Sequence, residues 1–254
     1  MPLNKKSKKE LFPMIAAVLF WLLVWQTAAA VSGQTLLLSS PVRVARRLFA
    51  LPGEKGAMAA LGFTVSRILL GFAVGFVGGA LLSVLAARVR AVEILLRPLM
   101  VMVRSVPVAS FIILALIWLS GKKLSAFIAF LMVLPIVYGN LLTGLRAADP
   151  KLTEMAKVYH VPFGRRLRWM LLPGIKPYLM NALTLSVGMS FKAGAAAEVI
   201  GIPAGSVGEK LYQAKVYLDL TDLYAWTILL VLSGVVIEKL LTRLLGMALE
   251  RSCR

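Results

Sequence analysis

Residues 68–87 read ILLGFAVGFVGGALLSVLAA, twenty residues with neither a charge nor a proline. At 1.5 Å per residue, a helix of that length covers about 30 Å, the thickness of a bilayer's hydrocarbon. Only helices and closed barrels satisfy every backbone group in that medium, and the run has the length of a helix, so it predicts a membrane span. Gly71, Gly75 and Gly79, continued by Ser83 and Ala87, fall every fourth residue on one face. Small residues in such a row let two helix backbones approach closely, and van der Waals contact then holds them in lipid. The row marks a packing face, and the sequence leaves open whether it meets another helix of this chain or a second subunit.

The same signature recurs on either side. Residues 11–31 and 124–145 are equally free of charge, and three less clean runs complete the set: 105–121, 177–200 with Lys192 and Glu198 inside it, and 223–245 with Glu238 and Lys239. The sequence thus predicts an all-α, polytopic membrane protein with about six transmembrane helices. Composition agrees, with 59% hydrophobic residues, only 16% charged and a mean hydropathy of +0.84. The formal net charge of +18 does not indicate nucleic acid, because the basic residues lie between apolar runs and form no aromatic-interleaved face. The opening apolar run exceeds the 7–15 residues of a secretory signal, so it reads as a retained anchor. The lone cysteine, Cys253, has no partner for a disulfide or a thiolate metal site.

Lys and Arg concentrate on the cytoplasmic side of membrane proteins. With the N-terminus inside, the inner segments hold eighteen basic residues against eight outside, so both termini are expected in the cytoplasm. The resulting organisation is a basic N-terminus (1–10), a first span (11–31), an external loop (32–64), a five-helix core (65–245) and a cytoplasmic tail (246–254). Within the external loop, Val42, Val44, Ala45 and Leu48 recur at helical spacing with Arg43, Arg46 and Arg47 elsewhere on the wheel. This predicts an amphipathic helix along the membrane surface, the alternative being a solvated basic connector.

Between the fourth and fifth spans lies a patterned, charged stretch, residues 150–172. Asp149-Pro150 is a helix-start signal, and Leu152, Met155, Ala156 and Tyr159 then recur at i, i+3, i+4 and i+7. His160 suits a left-handed C-terminal position better than most non-glycine residues, and Pro162 stands two residues later. A short cytosolic helix with one apolar stripe has to bury it, either on its own membrane surface, where Arg165, Arg166 and Arg168 would meet anionic lipid, or on a separate protein.

Glu154-Met155-Ala156, three residues, His160, nine residues, Met170, one residue and Leu172-Pro173 resembles the coupling motif of ATP-binding-cassette importer permeases, Glu-Ala-Ala…Gly…Ile-x-Leu-Pro, with every spacing kept. Met155, His160 and Met170 depart from Ala, Gly and Ile. The stretches SPVRV, SRILLGF, LLRPLMVMVRSVPVASF, GNLLTGLRAADPKL, AAEVIG and GSVGEKLYQAKVYLDLTDLYAW extend the resemblance over roughly 200 residues, toward the nitrate, sulfonate and taurine branch. A proline common in that branch's third span is missing from FIILALIWL.

The resemblance implies a bacterial inner-membrane permease subunit, taken to pair with a second, identical copy. It also implies cytosolic ATPase subunits that bind ATP and Mg, an extracytoplasmic substrate-binding protein and surrounding lipid. It assigns ATPase coupling to Leu152, Glu154, Met155, Ala156, Tyr159, His160, Gly164, Leu172 and Pro173. The chain itself is expected to be no enzyme and to bind no cofactor or metal. SGKKL (120–124) lacks both the upstream glycine and the Ser/Thr of a phosphate-cradling loop, and no His, Cys or Ser-His-Asp set exists for catalysis. Polar groups inside spans are costly and often functional, which makes Lys192, Glu198, Asn140 and Asn181 candidates for the substrate path. Lys192 would favour a small anion or zwitterion of the nitrate, sulfonate, taurine or vitamin-precursor class. Glu198 is six residues, about 240°, around the helix from it, so the two cannot pair on one face. The rival readings are an ion-gradient-driven secondary transporter and a nonconducting scaffold.

Overall fold

The computed structural model describes residues 6–32, 38–147, 154–156 and 158–253. Every regular element among them is helical: α1 (Lys6–Ser32), α2 (Pro41–Ala50), α3 (Ala57–Arg88), α4 (Arg90–Ser105), α5 (Val108–Trp118), α6 (Gly121–Arg146), α7 (Leu172–Gly201), α8 (Val207–Val216) and α9 (Leu220–Cys253). A short helical turn, Phe163–Arg166, and a π-helical turn, Leu167–Leu171, lead directly into α7. Pro173 has no N–H to give to the carbonyl four residues back, a local cause for this wider winding.

Three helical stretches are long and apolar enough to cross a membrane: Ala57–Arg88, Gly121–Arg146 and Gly164–Gly201. The expected first span coincides with α1, whose apolar part, Ile15–Val31, is shorter. The expected sixth span lies in α9, with Glu238 and Lys239 in its path. The expected third span, 105–121, is not a straight traverse. Proline disfavours helical geometry in the residue before it, and Val106 is extended (ψ 134°) ahead of Pro107. The chain therefore bends by 104° between α4 and α5. The eleven residues of α5 cover only about 16 Å.

The chain divides into two compact units, residues 1–58 with 210–229, and residues 59–209 with 230–254. In the first, the amphipathic stretch is the helix α2, started by Ser40, whose Oγ accepts from the Arg43 N–H (3.5 Å), and by Pro41 in the first turn. Val44 is buried beneath it, and Arg47 is held by Glu54 and by Asp222 (Nε–Oδ1 2.6 Å). That guanidinium keeps the Glu54 carboxyl below its ordinary range.

In the second unit, α3 lies on α6 through its glycine row. A Cβ at Gly79 would stand 2.7 Å from the Leu134 carbonyl oxygen, one at Gly75 2.9 Å from that of Phe130, and one at Gly71 would overlap the Ala126 carbonyl. The backbones are as close as they are because these side chains are missing. The helices α6 and α7 pack extensively on each other, with Leu124, Ile128, Met132, Ala193 and Ala197 sharing a core with Ile112 of α5.

Candidate functional site

Residues 154–156 and 158 are helical, and the chain turns at Tyr159 and His160. Leu152 lies outside the described residues. His160 has φ 48°, and the Val161 N–H closes back on the Ala156 carbonyl (2.9 Å), the six-to-one bond of a Schellman stop. A histidine thus occupies the left-handed position where the family motif has glycine. Ala156 is buried (3% exposed) and fixes the segment to its own chain, whereas Met155, Val158 and Tyr159 are open, the last at 76%. The exposed apolar face is therefore Met155, Val158 and Tyr159, not the full predicted stripe. Glu154, Gly164 and Pro173 are exposed and Leu172 is half-buried.

Glu198 and Lys192 sit on different faces of α7. Glu198 is fully buried. Its Oε2 accepts from Thr64 Oγ1 (2.6 Å) and from the Gly208 N–H at the start of α8 (3.4 Å), and Thr64 Oγ1 in turn accepts from the Val207 N–H (2.9 Å). A carboxylate beside the free amides of a helix N-terminus meets the positive end of its dipole. Gly208 is pressed so closely on Glu198 that a Cβ there would fall 2.7 Å from the Glu198 carbonyl oxygen. One residue past α7, Ile202 takes a left-handed backbone (φ 42°, ψ 54°), costly for a β-branched residue. Gly201, one residue earlier, packs closely on Gly121, where a Cβ would stand 2.7 Å from the Gly201 carbonyl oxygen. The second carboxylate oxygen, Oε1, and the neighbouring Ser125 hydroxyl are buried without a hydrogen-bond partner among the described residues.

Lys192 is exposed, and no described residue pairs with it. Steps of three and four residues connect Asn181, Thr184, Gly188, Lys192, Ala195 and Val199 along one face of α7, beside the exposed Leu185. At one end of this stripe, Asn181 Nδ2 donates to Asn140 Oδ1 of α6 (2.8 Å), and Asn140 Nδ2 donates to the Ile136 carbonyl (2.8 Å). The structure thus brings Asn140, Asn181 and Lys192 along one surface and keeps Glu198 behind it. Sequence reading missed Thr64 and Gly208 as partners of Glu198, and Ser125 as its neighbour. A threonine, a serine and a glycine at the ends of three different helices carry no local signal that they converge.

Long apolar helices with a few polar groups set along them are the features of a membrane component. The model of the family described as "Binding-protein-dependent transport system inner membrane component" matches residues 79–251, and the chain belongs to that family. It is therefore a permease subunit of the binding-protein-dependent, ATP-binding-cassette type, not an enzyme. A Bacillus subtilis protein described as an aliphatic sulfonates transport permease is 28% identical over 176 residues, 68% of this chain and 63% of that one. The Synechocystis nitrate import permease is 25% identical over 212 residues (80% and 75%). The Escherichia coli taurine transport system permease is 24% identical over 255 residues (98% and 88%).

Proposed function

We propose that this chain forms half of the translocation path of an ATP-binding-cassette importer, with the Asn181–Lys192 face of α7 turned toward the path and the Met155/Val158/Tyr159 face turned toward a cytosolic ATPase. The observation that carries the reading is the helical run Gly164–Gly201, which begins four residues after His160 and bears Lys192. Its 38 residues extend about 57 Å, so a displacement applied at the coupling segment reaches the polar stripe along one continuous element. ATP binding biases an inward-open against an outward-open state only if the ATPase contacts this segment differently in the two, and an exposed, capped helix end suits such a grip.

Lys192 is nine residues, about 13 Å, from the Gly201 end of its helix, deep within the hydrocarbon. A charge there costs about 2.5–3.5 kcal/mol against lipid, so its face belongs to a second permease subunit and the water-filled passage between the two. The second subunit is taken as an identical copy. Its ammonium favours a small anion or zwitterion, the class to which the solutes in the relatives' names belong. Asn140 and Asn181 supply neutral hydrogen-bonding groups further along. Glu198 acts behind the path, joining α7 to α3 and to the N-terminus of α8. ATP and Mg belong to the partner ATPase, an external binding protein delivers the solute, and both termini lie in the cytoplasm. An ion-gradient-driven carrier, the rival reading, has no use for the coupling segment.

Proteoliposomes holding the chain, the ATPase and the binding protein encoded with it are expected to take up solute only with ATP inside. Replacing Met155 and Tyr159 together by Ala should cut uptake and solute-stimulated ATP hydrolysis at least tenfold without moving the melting point of the chain. Uptake by the chain alone, driven by an imposed ion gradient, would sink this reading.

A further inference from the structure

The helix α4 places Arg90, Arg97 and Arg104 seven residues apart, two turns each, so that they form one ridge. Around the wheel, Met100 and Val103 are buried, while Ile94, Leu95, Leu99 and Met102 are exposed, Leu95 by 75%. The arginine ridge runs along the border between the packed face and the bare apolar face. Because the chain turns by 104° into α5, α4 lies across the direction of that helix. An amphipathic helix so oriented, with a bare apolar side and a basic edge, is the arrangement of a segment lying in a membrane interface.

Beneath the ridge is a cavity of about 460 Å³ between α4 and α6, lined by Arg90, Arg97, Arg104, Arg146, Glu93 and Tyr138 among others. Four guanidinium groups face one carboxylate. Glu93 is occupied by Arg146 (Nη1–Oε1 2.8 Å) and Arg90 (3.6 Å). Arg104 spends one Nη2–H on the Pro135 carbonyl, lying in a notch that the missing side chain of Gly139 leaves open. Arg97 has no ion pair or hydrogen bond among the described residues, and neither does the hydroxyl of Tyr138, whose side chain is otherwise buried (6% exposed). The lining therefore offers several unspent N–H donors and an O–H around a space too large for one water, with four guanidinium groups against the single carboxylate of Glu93 and hence a net positive charge.

We propose that this cavity is a binding site for a phosphate-type oxyanion, held by Arg97 and Arg104 with Tyr138. The planar guanidinium fork matches two oxygens of such a group, and the bare apolar face beside it gives a phospholipid's chains a place to lie. The same chemistry could be met by the headgroup of an anionic lipid or by free phosphate.

The test uses the full chain in a neutral detergent, with its melting point followed against increasing short-chain phosphatidylglycerol and, separately, inorganic phosphate. A saturable rise with at least one probe is expected. Loss of a charge-assisted hydrogen bond in Arg97→Gln should weaken the apparent Kd about tenfold, Arg97→Lys less, and Lys122→Gln, outside the cavity, not at all. Arg97 is exposed, so its replacement leaves the fold intact. Response to phosphatidylglycerol alone assigns the site to a headgroup, and response to both probes assigns it to phosphate from either source. No saturable rise with either, or a rise of unchanged midpoint in Arg97→Gln, overturns the proposal.

Discussion

Thr64→Val is the sharpest test of how α7 is held. The substitution keeps the shape of the side chain and removes one oxygen that serves two buried partners. Oε2 of Glu198 loses its donor at 2.6 Å, a charge-assisted bond of about 1.5–3 kcal/mol. The Val207 N–H loses its acceptor at 2.9 Å and is left buried and unpaired, for about 1–3 kcal/mol more. Together these come to about 2.5–6 kcal/mol, and at about 2–4 °C per kcal/mol for a chain of this size the melting point should fall by about 5–24 °C. Thr64→Ser keeps the hydroxyl and gives up one methyl, about 1 kcal/mol, for a fall of about 2–4 °C. Far-UV circular dichroism of the chain in detergent reads both. In a Glu198→Gln background the penalty of Thr64→Val should shrink, because the acceptor no longer carries charge. If the Val and Ser variants melt within about 2 °C of each other, the hydroxyl is not what joins α3, α7 and α8.

Three further outcomes are expected. Gly71→Val drives a branched side chain into the Ala126 carbonyl region of α6, where backbone has to move, and should cost about 3 kcal/mol or more, read as loss of monodisperse protein in gel filtration. Lys192→Gln should lower kcat/KM for an anionic solute about tenfold in reconstituted uptake while Lys192→Arg retains most of it, and equal uptake by all three forms would remove the lysine from the path. Arg47 holds the Glu54 carboxyl below its ordinary range, so the pair's contribution is complete above that range and is lost as pH falls through the depressed value; wild type should exceed Glu54→Gln by at most about 3 °C at neutral pH, and the difference should vanish as the pH is lowered through that value.

Those three tests address features of different legibility. The Gly71/Gly75/Gly79 row shows in the sequence because its meaning is steric and repeats with the helix. Its partner does not show, since any apolar helix backbone could receive it, and only the coordinates place it on α6. The amphipathic α2 and the left-handed stop at His160 are equally local and can be read directly. The bend at Val106-Pro107 does not show in hydropathy: it stands at the start of the run 105–121 and sets the eleven residues of α5 at 104° to α4 before them. The arginines of α4 carry a visible seven-residue spacing. Their significance depends on a cavity whose opposite wall, Tyr138, Gly139 and Arg146, comes from another helix.

Lys192 and Glu198 make the same point in its strictest form. In the sequence they are equivalent, two charges in one apolar run, and helical phase says only that they face different ways. Which of them looks outward depends on where α6 lies, and α6 is positioned by Ala193 and Ala197 packing against Leu124, Ile128 and Met132. That packing turns Glu198 inward, where two buried donors meet it, and leaves Lys192 on the unpacked side with the two asparagines. A carboxylate enclosed by its own fold is a fastening, because any movement of α7 relative to α3 has to break its bonds. An exposed lysine that pairs with no described residue fastens nothing among them, and it is on this ground that the proposed reading seeks a second surface and the solute along its face.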